Sequence, residues 1–131
     1  MAVGQDEPLS RFLTESGHFT LPGRTKKKAF EPGFNSEQQR HETSLFRISA
    51  LSDSEIWDIG VAEVATPRNK PLLARTDILA GSVRGHAPLD VIEDEPPPRH
   101  AVIVGWPGDK FERMNLQQLL AEDADLKQAP N

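Results

Sequence analysis

Pro96-Pro97-Pro98-Arg99-His100-Ala101-Val102-Ile103-Val104-Gly105-Trp106-Pro107 is the stretch that decides how this chain folds. Ala101 to Val104 carry no polar side chain, and two of the four are valine. Proline and glycine close the run on both sides. A short apolar run of this kind, rich in β-branched residues, reads as a strand at about 100–105 buried on both faces. Such a strand needs neighbours to pair with and layers to cover it. The flanking segments are therefore read for strands and amphipathic helices.

Upstream, Leu89-Asp90-Val91-Ile92 predicts a strand that ends in Glu93-Asp94-Glu95. Too few residues separate it from Ala101 for a helical crossover, so the two pair antiparallel. Downstream, Asn115 with Gln118 reads as a helix cap, and Met114 with Leu119 as its hydrophobic staple. Leu116, Leu119, Leu120 and Ala124 make one apolar stripe over a helix at about 116–126. Nearer the N-terminus, Thr43 to Ser49 predicts a strand. Ser52-Asp53-Ser54-Glu55 then fits a capping box, with Leu51 and Ile56 spaced as a staple. Ile56, Ile59, Gly60 and Val64 repeat at helical spacing, predicting a helix at about 53–65 that Pro67 ends. Leu72 to Gly81 suits either a strand with a bulge or a short helix, and Leu9 to Leu13 either a strand or a helical turn. Trp106 reads as a structural plug at the end of the sheet.

The fold expected from this pattern is α+β, a small, mostly antiparallel sheet covered by two helices. Residues 1–8 read as a mobile tail and 9–126 as one domain, within which 22–41 is basic and loop-rich. Residues 127–131 read as a second tail. A length of 131 residues fits one domain. With 37% hydrophobic and 27% charged residues the chain is lean yet able to bury a core. The absence of cysteine removes disulfides, thiolate metal sites and cysteine nucleophiles. No apolar run approaches the ~20 residues of a membrane helix. A soluble, cytoplasmic protein is expected.

Charge is unevenly placed. The formal net charge is -5, which argues against nucleic-acid binding through the whole surface. Between Pro22 and His41, however, Arg24, Lys26, Lys27, Lys28 and Arg40 outnumber Glu31 and Glu37. Arg24 to Lys28, flanked by Phe19, Phe30 and Phe34, has the basic-plus-aromatic mix of a single-strand nucleic-acid surface. Arg47, Arg75, Arg84 and Arg99 would add phosphate contacts if they shared a face. A solvated basic loop docking an acidic partner is the competing reading.

His41-Glu42-Thr43-Ser44-Leu45 resembles the H-x-T-x-apolar element of the two-histidine phosphoesterases. The resemblance implies His41 and His100 as general acid and base on a phosphodiester, with Thr43 holding a phosphate oxygen. Val102 stands where the second element of that family carries a hydroxyl. Other chemistry finds no pattern. The histidines are scattered without ligand spacing, there is no G-x-S-x-G elbow, and Gly81 to His86 has the wrong spacing for a phosphate cradle. In that loop, Arg84 and His86 near glycines could hold an anion. Asp90 and Glu93 to Glu95 could collect a hard cation, although an acidic turn before prolines is usually solvated. No cofactor is implied.

The sequence thus points to a non-enzymatic protein-binding module acting through charged loops. Its candidate contacts are Arg24, Lys26, Lys27 and Lys28, the partly exposed Trp57, and the acidic corner Glu93, Asp94 and Glu95. A phosphoesterase using His41, Thr43 and His100, and a nucleic-acid surface on the Arg24–Lys28 loop, are the alternatives.

Overall fold

A computed structural model describes residues 2–130. Its strands are β1 (Pro8–Leu13), β2 (Phe19–Thr20), β3 (Arg24–Thr25), β4 (Gly33–Asn35), β5 (Arg40–Arg47), β6 (Ala74–Leu79), β7 (Asp90–Glu93), β8 (His100–Val104) and β9 (Asp125–Gln128). Seven form one sheet in the order β7-β8-β5-β1-β6-β9, with β4 paired to the start of β5, while β2 and β3 make a separate hairpin. The assigned pairings are antiparallel. The helices are α1 (Asp53–Gly60), α2 (Thr66–Arg68), α3 (Ala80–Arg84) and α4 (Lys110–Asp123). The fold is α+β, and no helix among the described residues is long and apolar enough to cross a membrane.

β8 lies between β7 and β5, and Ala101, Val102 and Ile103 are fully buried. Alternation along the strands divides the core in two. One face carries Leu9, Leu13, Leu45, Ile78, Val91 and Ile103 and is covered by α3, α4 and the 3-10 turn Lys27–Phe30. Trp106 belongs to this core, its indole N–H donating to the carbonyl of Ile103 at 3.2 Å. The other face carries Phe12 and Phe46 under Ile56 of α1.

The capping box forms as its residues predict. The Glu55 amide donates to the Ser52 hydroxyl at 3.2 Å, and the Ser52 amide to the Glu55 carboxylate at 3.0 Å. Pro67 does not end the helix. A π turn over Val61–Ala65 leads into α2, in which Pro67 is itself helical. The wider turn relieves the clash between a proline ring and the carbonyl four residues back. The rod ends instead at Asn69, left-handed at φ 52°. There the Asn69 and Lys70 amides donate to the carbonyls of Thr66 and Ala65, a Schellman closure.

The last helix also departs from expectation. It begins at Lys110, because the Asp109 carboxylate accepts the Glu112 amide at 2.9 Å, so Asn115 lies inside it. Leu120 is buried but Leu119 is exposed. The chain turns extended at Ala124, and Asp125–Gln128 pairs with β6 rather than trailing off as helix and tail. That pairing, with β1 on the other side, also resolves Leu72 to Gly81 as a strand followed by a short helix. The expected tail of residues 1–8 includes Met1, which lies outside the described residues; residues 2–7 are packed, not loose: Val3 is buried, and Glu7 pairs with Arg47.

One irregularity lies inside the sheet. β1 and β5 are in register only at Leu9–Arg47 and Ser10–Phe46, then diverge. Beyond that point β1 pairs with β6 and β5 with β8. Arg11 fills the fork, its Nε donating to the Ala29 carbonyl and Nη1 to the Ser44 carbonyl, each at 2.9 Å.

Candidate functional site

The 3-10 turn Lys27–Phe30 is held by its own carbonyls. Gln117, itself buried, donates to the carbonyl of Lys27 at 3.2 Å, and Arg11 donates to that of Ala29. The Glu31 amide takes the carbonyl of Lys28, and the buried Thr43 hydroxyl donates to that of Phe30 at 3.0 Å. Ala29 and Phe30 sink into the core, which leaves Lys27 and Lys28 at the surface. A clamped turn with two buried anchors therefore presents two cations in a fixed place.

Opposite them stands the first turn of α4. Arg113 donates from Nη1 to the carbonyls of Gly108 at 2.7 Å and Pro107 at 3.1 Å, which ties the helix start to the preceding loop. Lys110 and Arg113 face Lys27 and Lys28 across a hollow of about 400 Å³, whose wall also includes His41, Glu31 and Gln117. Glu31 is the one acid in that wall and pairs with Lys28 at 3.0 Å, a solvated pair of small energetic weight. Burial, and then the charge of Arg113, hold the His41 imidazole below its ordinary pKa of 6.5. It is thus a neutral hydrogen-bonding group at pH 7. Phe34 packs edge-on against it, with ring centroids 5.1 Å apart, and is itself 58% exposed. Four cations around one hollow are suited to receiving carboxylates or phosphates.

The basic loop is divided between two surfaces. Lys27 and Lys28 enter the basin, whereas Arg24 borders a second hollow with Gln118 and Glu122. Lys26 is exposed, and its amide donates to the His18 carbonyl at 2.9 Å. Trp57 is half-buried on the flank of α1. It stacks on the guanidinium of the fully buried Arg75, 4.8 Å from carbon to ring centre, while Arg75 reaches Asp53 at 3.1 Å. The acids of the corner all have partners within the chain, and Glu93 and Glu95 stay exposed. Glu93 pairs with Arg47 at 3.2 Å, Asp94 with His100 at 3.2 Å, and Glu95 accepts the Arg99 amide at 2.9 Å.

His41, Thr43 and His100 are not brought into one cleft. His41 lines the basin below α4, whereas His100 packs over Phe46 on the opposite face, 5.3 Å between ring centres. Phe46 and His100 are register partners, and His41 and Phe46 are an odd number of positions apart along β5, so alternation sends the two imidazoles to different sides. The Thr43 hydroxyl is already donated to Phe30. The arginines Arg47, Arg75, Arg84 and Arg99 form no shared phosphate face either. Arg84 is bound to Asp90 at 2.7 Å, His86 pairs with Asp123 at 2.7 Å, and Arg99 reaches the carbonyls of Arg47 and Ser49. Among the described residues no group of three or more His, Asp or Glu side chains converges as a metal site.

Lys110 and Arg113 are the basin residues that sequence reasoning missed. Asp109 with Glu112 is itself a cap-and-N3 pattern. Read that way, the helix starts at Lys110 and both cations fall in its first turn. Compared with models of protein families, with curated proteins and with solved structures, the chain matches none.

Proposed function

We propose that this protein is a non-enzymatic binding module whose clamped basin receives an acidic segment of a partner protein. The observation that carries the reading is the set Lys27, Lys28, Lys110 and Arg113 around one hollow, in a chain whose formal net charge is -5. Cations gathered against the overall charge give a local attraction that the rest of the surface opposes, which favours one docking orientation. The clamped carbonyls of the turn mean that little ordering entropy is lost on binding.

The test uses a fluorescent ten-residue glutamate-rich peptide and the triple variant Lys27→Glu, Lys28→Glu, Lys110→Glu. Three exposed attractions of up to about 1 kcal/mol each become repulsions, so binding at low salt should weaken by roughly a hundredfold. Rising salt should weaken the wild type in the same direction. A wild type that ignores the peptide, or a triple variant that binds it equally well, overturns the proposal. The exposed rings of Phe34 and Phe111, 58% and 74% accessible, favour a second reading in which single-stranded nucleic acid stacks beside the basin. Oligothymidine binding that Phe34→Ala abolishes, without peptide binding, would support that reading instead.

A further inference from the structure

The fork between β1 and β5 is a costly feature for the interior of a sheet, because each strand gives up ladder bonds on its inner edge. Arg11 fills the gap, satisfying the Ser44 carbonyl of β5 through Nη1 and the Ala29 carbonyl of the neighbouring 3-10 turn through Nε. Its Nη2 has no partner among the described residues, and it is not among the sealed, unpartnered polar atoms of the interior. Arg68, at the end of α2, lines the same opening, and among the described residues its side chain hydrogen-bonds only to the Thr14 hydroxyl, at 3.4 Å. Among the described residues neither arginine has a carboxylate within ion-pair distance. Burial, and then the charge of Arg68, lower the Arg11 pKa to about 10. The two guanidiniums therefore repel each other, and neither is held in an ion pair by Glu63, the carboxylate that lines the same opening.

Two acids on the far side of the fork are already engaged. Glu31 is paired with Lys28, and Glu42 with Arg40 and Asn35. Glu63 lines the near side without bonding to either arginine. The near side is a hollow of about 240 Å³ in which Arg11, Arg68, Ser44 and His100 meet an apolar wall that includes Phe46 and Val64. The His100 ring is steadied there by the Asp94 carbonyl, which accepts from Nδ1 at 2.9 Å, and by Phe46.

We propose that this hollow binds a phosphomonoester, its phosphate between the Arg11 and Arg68 guanidiniums and its organic body against the Phe46 wall. A phosphate dianion supplies the ion-pair partner that the two arginines lack, and guanidinium geometry suits it. The wall distinguishes a phosphate carried on an apolar body from free phosphate. None of these four polar residues lines the basin, so the site stands independently of the partner-binding reading.

The experiment is an amide NMR titration with phenyl phosphate, inorganic phosphate and phenol. Phenyl phosphate should shift the Ser44 and His100 amides and bind about tenfold more tightly than inorganic phosphate, and phenol should shift nothing. Arg68→Gln, an exposed side chain whose loss spares the core, should weaken phenyl phosphate about tenfold with an otherwise unchanged spectrum. Arg11→Lys, which keeps the charge but loses the forked geometry, should also weaken it. The triple basin variant should leave the affinity unchanged. No shift at about 20 mM phenyl phosphate, equal binding of the two phosphates, or an indifferent Arg68→Gln variant overturns the proposal.

Discussion

Gly105→Ala should destabilise the protein by about 2–5 kcal/mol, through two separate effects at one atom. Gly105 joins β8 to Trp106 with φ at +87°, and an L side chain there costs about 1–2 kcal/mol. The added Cβ would also lie 2.3 Å from the Pro88 carbonyl oxygen and 3.3 Å from the Leu89 Cα. Both are backbone atoms, so no rotamer change relieves the clash. Relief requires displacing the start of the β7 segment by about 1 Å, which drags the buried Leu89 with it. Overpacking of this kind typically costs about 1–3 kcal/mol. Urea unfolding followed by tryptophan fluorescence reads the sum, because Trp106 sits in the affected core. With a slope of about 2 kcal/mol per molar, the midpoint should fall by about 1–2.5 M. Gly108→Ala is the matched control, since a Cβ there meets nothing within 4 Å, and it should stay within about 0.5 kcal/mol. A Gly105→Ala midpoint no lower than that of Gly108→Ala would refute the reasoning.

Two further outcomes follow from local bonds. Asp109→Ala should cost about 1 kcal/mol as the true cap of α4, while Asn115→Ala inside the helix should be near neutral; equal losses in urea melts would place the helix start wrongly. Glu7 has a pKa held below the ordinary 4.5, chiefly by its hydrogen bond to Arg47 and against the effect of burial. A lowered carboxylate pKa adds stability above 4.5, which is lost as pH falls through the folded value. Glu7→Gln should therefore be the less stable protein at pH 7, with the gap closing toward about pH 2. A gap that persists undiminished in acid would show that the charge is not its source.

What the chain determined by itself was whatever a few consecutive residues can express. The apolar, β-branched run from Ala101 to Val104 has no stable place except between covering layers, and Ser52 with Glu55 satisfies two orphan amides at a helix start within a single turn. Acids and bases were also segregated along the chain before any fold was known. The reading failed where a neighbour elsewhere in the chain decided the conformation. Within Leu72 to Gly81, Ala74–Leu79 is a strand because β1 and β9 complete its ladder, and Asp125–Gln128 leaves the helix because β6 offers it an open edge. The basin exists because Gln117 reaches the carbonyl of Lys27 across a separation of 90 residues, which sets Lys110 and Arg113 opposite Lys27 and Lys28. The fork holding Arg11 has no sequence signal at all. Helix caps and side-chain periodicity act over one or two turns, whereas the meeting of two strand edges depends on how the whole sheet is ordered.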